Sequence, residues 1–286
     1  MERTNRLIDY YLPPGEGFVL ESLVATTYEV DFEFFEEELL AVALGVRSPI
    51  SRLKAFRSEL ERKLQKAEVS VMYDLACCER LARLSPRIDA IPIVARKLHS
   101  KISLLMWVRE GAVAGEKPDR RMRLIVGSAN LTRQGFRHNY ECVVPVDFGG
   151  RSTASRSLLT AAIVLVQQIA AESTSPQLAS QLAAFAVQAA MLPDGTLGTD
   201  DPVALVAAPD VVRTVRSSWS AISTKAPETV TVVSPFWAEG STAAEALFTY
   251  FSSLARLRTW SWCVVVRSHQ RERLGFLYSM AAWRLN

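Results

Sequence analysis

The stretch HSKISLLMWVREGAVAGEKPDRRMRLIVGSAN, residues His99–Asn130, decides the fold of this chain. It holds two apolar runs separated by a loop that contains glycine, proline and several charges. Two apolar runs around such a loop predict a long β-hairpin. Polar residues stand at the outer end of each run, so the same stretch also indicates where a functional site would lie.

The residues before the hairpin alternate between strand and helix patterns. Leu20–Val30 alternates with the period of two that is typical of a half-buried strand. Asp31 then predicts a helix N-cap, and Gly45 predicts the end of that helix. A second, charged helix is expected from about Pro49 to Ala67. Its apolar stripe would be Leu53, Phe56, Leu60 and Leu64. Further strands are predicted in EVSVMYDL, AIPIVA and NYECVVPV.

These patterns predict an α/β protein in which helices cover a mixed sheet. After Arg151 the sequence changes to two helices rich in alanine, leucine and glutamine, each begun by a serine. A turn-rich linker follows, and strand, helix and strand patterns then recur in ETVTVVSPFW, STAAEALFTYFSSLARL and SWCVVVRS. We therefore expect a catalytic half over residues 1–150, a helical insert and linker over 151–225, and the incomplete start of a second, similar unit over 226–286.

The amino-acid composition is that of an ordinary globular protein and does not identify a binding partner. The 286 residues are 49% hydrophobic and 22% charged, with a formal net charge of +3. Arginine supplies 26 of the 33 basic residues. Arginine suits bidentate contacts to phosphate, although GC-rich coding gives the same bias, so the composition alone does not imply nucleic acid.

The four cysteines and the hydropathy pattern predict a cytoplasmic location. Cys77, Cys78, Cys142 and Cys263 do not have the spacing of metal ligands, and unpaired thiols fit a reducing compartment. The N-terminus lacks the apolar core of a signal peptide. No apolar run is long enough to cross a membrane, so we expect no membrane partner.

Two pairs of polar residues flank the hairpin. Residues two apart on a strand project from one face, so His99 and Lys101 would point to one place. An imidazole beside an ammonium is understandable if an anion binds between them. Ser128 and Asn130 are likewise two apart and offer hydroxyl and amide donors. In a hairpin both pairs would meet at one end of the sheet, where they predict an oxyanion site.

The pattern HSK followed by GSAN resembles the signature of the phospholipase D superfamily, His-x-Lys and then Gly-Ser-x-Asn. The resemblance covers about residues 20–147, and residues 229–266 by topology only. The superfamily's usual aspartate, five residues after the lysine, is replaced here by Met106. The tyrosyl-DNA phosphodiesterase branch and several bacterial nuclease-like members also lack this aspartate, so the departure points away from the lipid-cleaving members.

The resemblance implies a phospholipase D-like layered α-β-α sandwich and a metal-independent reaction. In the superfamily one histidine attacks phosphorus and forms a phosphohistidine, and a second histidine protonates the leaving oxygen. Mapped by motif, His99 is the nucleophile or the acid, and Lys101, Asn130 and Ser128 hold phosphate. Glu141 matches a position where some members carry a carboxylate that orients the histidine. A solvated charge at a strand end is the alternative for Glu141. No metal or cofactor is implied.

The superfamily builds its site from two copies of the motif, and this sequence contains one. His269, in RSHQ, is followed by no Gly-Ser-x-Asn, and His138 lies beside the first motif. The second copy could come from a missing C-terminal segment or from a homodimer, or it could be lost.

The sequence thus favours a nucleic-acid phosphodiesterase, with DNA favoured over RNA, and a bacterial setting is implied by the resemblance alone. The alternative is a degenerate fold that binds nucleic acid or serves as an assembly subunit. A lipid phosphodiesterase ranks third.

Overall fold

The computed structural model describes residues 6–77, 85–94, 98–111, 118–139, 141–150, 152, 154–193, 229–234, 249–250, 259–264 and 283–284. The chain divides into two compact units, Met1–Gly198 and Thr199–Asn286. The first unit carries a six-stranded mixed sheet, and the second a three-stranded one. Each unit is described by itself.

The sheet of the first unit has the strand order β3-β2-β1-β4-β5-β6. Its strands are β1 (Phe18–Thr27), β2 (Glu68–Asp74), β3 (Ile88–Ile93), β4 (Ile102–Arg109), β5 (Arg120–Gly127) and β6 (Val143–Phe148). Strand β1 pairs parallel with β2, and β2 pairs parallel with β3. The pairs β1–β4, β4–β5 and β5–β6 are antiparallel. The predicted α/β class with a mixed sheet is therefore confirmed.

The predicted hairpin is strands β4 and β5. Ile102 pairs with Val126, and the antiparallel register runs to Val108 opposite Arg120. This register places the start of β4 beside the end of β5. The two polar pairs of the sequence therefore lie at the same edge of the sheet, as the sequence predicts.

Helices of the first unit follow the predicted caps, with one correction. Asp31 accepts a hydrogen bond from Phe34 N at 3.1 Å, and Gly45 ends the helix with a left-handed φ of 63°. The helix is α1, a π-helical segment and α2 in succession, and α3 follows it. Their bounds are Phe32–Phe34, Phe35–Leu40, Ala41–Ala43 and Leu53–Leu64. Leu53 was expected in the buried stripe of α3, but it lies in the first turn, where its side chain is exposed.

One face of the sheet packs on these helices. Leu23, Val71 and Trp107 are fully buried there, together with Phe35 and Leu39 of the π-helical segment. Trp107 Nε1 also donates to Ala43 O at 3.3 Å, so its one polar atom has a partner. Large apolar side chains from alternate strand positions thus fix this layer on the sheet.

The opposite face of the sheet contacts α6 (Pro176–Met191), and the helix before it, α5 (Arg156–Ala170), packs against α6. Both begin as predicted, because Ser155 accepts from Ser157 N and Ser175 accepts from Leu178 N. Gln181 of α6 is fully buried and donates to Ser22 Oγ at 3.0 Å. Its Oε1 accepts from Ser70 Oγ. Helices thus cover both faces of the sheet, which is the layered α-β-α arrangement that the sequence predicts.

The second unit shows a parallel pair of strands, like β1 and β2. Its strands are β7 (Thr229–Ser234), β8 (Thr259–Val264) and β9 (Trp283–Arg284). Strand β8 pairs parallel with β7 and antiparallel with β9. The helix predicted in 241–257 and the one in 209–222 lie largely or wholly outside the described residues. The division into 1–150, 151–225 and 226–286 stays a prediction.

Two further findings concern the described ranges alone. No helix there is both long and apolar enough to cross a bilayer. Cys77 is half-buried and Cys142 is exposed, and both carry free thiols. The predicted cytoplasmic location stays a prediction.

Candidate active site

One edge of the six-stranded sheet gathers the sequence-predicted site residues. Strands β1, β2 and β5 end at this edge, and the antiparallel strands β4 and β6 begin there. His99 and Lys101 lead into β4, whereas Ser128 and Asn130 follow β5. Glu141 precedes β6. The mixed topology therefore brings residues that are far apart in sequence to one side of the molecule.

His99 and Lys101 lie side by side. The Lys101 Nζ atom is 3.4 Å from His99 Nδ1 and 3.1 Å from His99 O. The imidazole is exposed and the lysine is half-buried. Both residues precede β4, which begins at Ile102, so they lie on the segment that leads into the strand rather than inside it. Their side chains nevertheless converge as the spacing predicts.

Partial burial affects the protonation of the Lys101 side chain. Loss of solvent around the ammonium lowers the pKa of Lys101, and the carboxylate of Glu141 acts in the opposite direction. A half-buried ammonium that lacks full solvation is a good partner for an anion, because the anion restores the lost electrostatic stabilisation. Lys101 and Glu141 are thus electrically coupled across the site.

Ser128 and Glu141 form the second contact group. Ser128 Oγ donates to Glu141 Oε2, and Cys142 N donates to Ser128 Oγ at 3.0 Å. Asn139 Nδ2 donates to Glu141 Oε1 at 3.1 Å. The described hydrogen bonds of Glu141 therefore join it to Ser128 and Asn139. The expectation that Glu141 orients His99 stays a prediction.

Asn130 holds an unused acceptor. Its Oδ1 atom is buried and has no hydrogen-bond partner among the described residues. A buried amide oxygen without a partner carries a desolvation cost of about 1–3 kcal/mol. A phosphodiester offers only acceptors, so this oxygen would need a donor from another part of a ligand, and the amide nitrogen Nδ2 of Asn130 is the atom that could donate to an anion.

Two glycines let the main chain approach closely around Ser128 and Asn130. A Cβ at Gly127 would lie 2.7 Å from Val143 Cγ2 and 2.8 Å from Cys142 O. A Cβ at Gly135 would lie 2.7 Å from Asn130 O. The first contact joins β5 to β6, and the second packs the short helix α4 (Arg133–Arg137) beneath Asn130. Gly127 of the motif is thus required by close approach.

Tyr28 is a site residue that sequence reasoning missed. Its ring centroid is 5.0 Å from that of His99, with the planes tilted by 46°. Lys101 Nζ lies 5.9 Å from the same ring. A hydrogen bond with the Cys77 thiol is the largest factor that raises the pKa of the Tyr28 phenol, and burial adds to it. The sequence shows Tyr28 only as one residue of an alternating strand, so its place beside His99 depends on the pairing of β1 with β4.

A small cavity of about 20 Å³ lies beneath the edge. Its lining includes Lys101, Gly127 and Ala129 of the motif region and also Tyr11 and Ser103. Tyr11 Oη and Ser103 Oγ are 2.8 Å apart. Burial raises the pKa of Tyr11 to about 12, against the opposite effect of that hydrogen bond. Tyr11 and Ser103 therefore give this cavity a neutral, hydrogen-bonded part of its lining.

The other residues considered from the sequence fall elsewhere. Met106, at the position of the superfamily's aspartate, is buried and pairs with Ser22 on β1. It lies on the same face of the sheet as Ser22, which bonds to Gln181 of α6, so a carboxylate at this position would be buried away from His99. His138 is exposed at the end of α4. His269 lies outside the described residues.

Comparisons with known proteins give matches among solved structures. No protein-family model matches the chain, and no curated protein sequence matches it. The chain is similar to yeast tyrosyl-DNA phosphodiesterase, at 11% identity over 58% of this chain and 35% of that one, with a TM-score of 0.32. A mutant of the same enzyme gives 9% identity over 63% and 36% of the two chains, with a TM-score of 0.36.

A third match is NucT from Helicobacter pylori. It shows 14% identity over 43% of this chain and 67% of that one, with a TM-score of 0.23. This chain spans about a third of the length of the yeast structures that it matches. The function proposed below rests on the motif and its geometry.

Proposed function

We propose that this chain is a metal-independent phosphodiesterase that acts on nucleic acid through His99. The observation that supports the proposal is that His99 and Lys101, which lead into β4, lie at the same edge of the sheet as Ser128 and Asn130, which follow β5. The imidazole is exposed, and Lys101 lies against it. An exposed imidazole beside an incompletely solvated ammonium suits attack on a phosphodiester, because the ammonium stabilises the negative charge on the non-bridging oxygens while the imidazole attacks phosphorus.

The proposed reaction has two steps. In the first, a ring nitrogen of His99 forms a bond to phosphorus while the bond from phosphorus to the leaving oxygen breaks. The leaving oxygen takes a proton from a second acid. In the second step, water attacks the phosphohistidine and gives a proton to the conjugate base of the second acid, the N–P bond breaks, and both His99 and the acid are restored. Lys101 and the amide nitrogen of Asn130 would hold the non-bridging oxygens throughout, and Ser128, which donates to Glu141 in the free protein, would turn its hydroxyl to the phosphate.

Substrate phosphate would also change the His99–Lys101 contact. In the free protein the ammonium lies 3.4 Å from Nδ1 of the imidazole. An anionic phosphate competes for the same ammonium because a charged acceptor gives the stronger hydrogen bond. Binding would therefore turn Lys101 toward the phosphate and leave the imidazole free to act.

A nucleic-acid substrate is supported by the arginine content and by the missing aspartate of the lipid-cleaving members. Twenty-six arginines give the chain many groups that contact phosphates bidentately. We propose DNA ahead of RNA, and the assay should present both.

The second acid is proposed to come from a second copy of the motif. In a homodimer, one His99 would attack and the other would donate the proton. A further segment of the natural protein could supply the same group. Light scattering separates these cases, because a dimer has twice the 31.7 kDa of one chain.

The test is cleavage of end-labelled single-stranded DNA and RNA in the presence of a chelator. Wild-type protein should cleave, and His99→Ala should lose about a thousandfold or more in rate, as removal of a nucleophile does. His138→Ala is the matched control, because this exposed imidazole lies beside the motif, and its rate should stay near that of the wild type. Full activity in His99→Ala would overturn the proposal.

A second candidate function follows from the single copy of the motif in the sequence. A half-site could bind a phosphate backbone without cutting it, and the protein would then be a binding or assembly subunit. This function predicts nucleic-acid binding that His99→Ala leaves unchanged and no cleavage under any condition.

A further inference from the structure

Strand β1, in the interior of the six-stranded sheet, ends in two successive threonines, Thr26 and Thr27, at the edge that carries the candidate site. Both side chains are buried, with exposed fractions of 1% and 0%. A buried hydroxyl is costly unless both its donor and its acceptor functions are used. Each of these hydroxyls makes two hydrogen bonds, and they reach different parts of the site.

Thr26 holds the segment that carries His99 and Lys101. Its Oγ1 accepts from Ile102 N at 3.0 Å, directly after Lys101. The same hydroxyl donates to Ser100 Oγ at 3.2 Å, and Ser100 lies between the two motif residues. Both bonds therefore act on the three residues His99–Lys101 and on the peptide that follows them.

Thr27 holds the segment that carries Asn130. Its Oγ1 accepts from Leu131 N at 3.1 Å and donates to Glu29 O at 2.7 Å. Asp31 N donates to Leu131 O at 2.9 Å. The peptide after Asn130 is therefore fixed from two sides by the end of β1 and the start of α1.

We propose that Thr26 and Thr27 are positioning residues that set the two halves of the motif against each other. Neighbouring residues of a strand point to opposite faces, so two consecutive hydroxyls can bind two different segments. One holds the His99 segment and the other the Asn130 segment. Thr26 and Thr27 are adjacent in β1. The geometry of this one dipeptide would therefore set the distance between the His99 imidazole and the Asn130 side-chain amide.

The hydroxyl group, rather than the branched shape, carries this role. Valine has the same shape as threonine but cannot donate or accept, so Thr→Val leaves Ile102 N or Leu131 N without its partner. Serine keeps the hydroxyl and loses only the methyl group. The comparison of valine with serine at each position therefore separates positioning from packing.

The experiment uses Thr26→Val, Thr27→Val and the two serine variants in the full chain. Ser22→Ala is the matched control, because Ser22 is a buried hydroxyl on the same strand whose described bond is to Gln181. The first readout is NMR of the His99 imidazole and the Asn130 side-chain amide, assigned with His99→Ala and Asn130→Ala. The second readout is kcat and KM for oligonucleotide cleavage, and this readout alone rests on the proposed function.

Thr26→Val should shift the pH titration of the His99 resonances, and Thr27→Val should shift the Asn130 amide resonances. Each valine variant should lose about tenfold to a hundredfold in kcat with little change in KM, since misplacement of reacting groups by about 1 Å has that effect. The serine variants should resemble the wild type. Ser22→Ala should lower thermal stability and leave the resonances and kcat unchanged.

Valine variants with wild-type resonances would overturn the proposal. Serine variants as impaired as the valine variants would also overturn it, because packing would then be the cause. If a valine variant does not fold, Thr→Ala at the same position makes the comparison with serine. If the wild type cleaves no oligonucleotide, the proposed function fails, and the resonances still decide whether the threonines position His99 and Asn130.

Discussion

At the scale of one residue, the half-buried charge of Lys101 suits anion binding but lowers the stability of the fold. Its ammonium is half-buried, and burial lowers its pKa despite the nearby Glu141. A lowered pKa means that the folded state disfavours the charged lysine relative to the unfolded chain. The site thus keeps a positive charge at some cost to stability, which is reasonable where an anion is to bind.

Lys101→Met should therefore abolish cleavage without lowering the melting temperature at neutral pH. Methionine has a similar length and no charge to desolvate, so the melting temperature should stay the same or rise. Calorimetry with the oligonucleotide assay on the same sample tests this. A clear fall in melting temperature would show that Lys101 stabilises the fold through its charge.

Ionisation of Tyr11 predicts a pH dependence of the free energy of unfolding, which can be measured without an activity assay. Burial raises its pKa to about 12 from the ordinary value of 10.0, so the folded state favours the neutral phenol. The contribution to stability is complete below pH 10 and is lost as the pH rises toward 12.

Denaturant titrations between pH 9 and pH 12 test this prediction. The wild type should lose about 2 kcal/mol of unfolding free energy over that range in excess of Tyr11→Phe, which has no phenol to ionise. Parallel curves for the two proteins would show that Tyr11 does not have the raised pKa.

The candidate site depends on which strands are neighbours in the sheet, and only some of these pairings can be predicted from the sequence. The hairpin and its polar ends could be predicted, because β4 and β5 are adjacent in sequence and their turn signals are strong. Tyr28, Thr26 and Thr27 could not be selected, because their roles depend on β1 lying between β2 and β4. Alternation along one strand gives the faces of its residues but not the strands beside it.

The packing of α4 under Asn130 makes a prediction at this scale. Gly135→Ala would place a Cβ 2.7 Å from Asn130 O, so the main chain must move, at a cost of about 1–3 kcal/mol. The cleavage rate should fall together with the stability, because the movement of the main chain displaces Asn130.

Gly15→Ala is the control, since its Cβ would have Phe18 at an ordinary 3.9 Å. Thermal unfolding and the cleavage rate of both variants measure the difference. Equal behaviour of the two variants would contradict the role given to the α4 contact.

The whole molecule contains two compact units that meet at Gly198 and Thr199 in sequence. The first has helices on both faces of its sheet and a buried core of its own, which is what independent folding requires. A chain that ends at Gly198 should therefore unfold in one cooperative thermal transition. A broad, non-cooperative melt would show that the first unit needs the rest of the chain.

The most direct test of the account is to trap the reaction intermediate on the full chain. Wild-type protein would be mixed with an oligonucleotide in chelator, quenched in alkali, in which a phosphohistidine bond survives, and digested for mass spectrometry. We predict a nucleotide adduct on His99 that His138→Ala retains and His99→Ala lacks. Cleavage without any adduct on His99, or an adduct that persists in His99→Ala, would contradict the central claim.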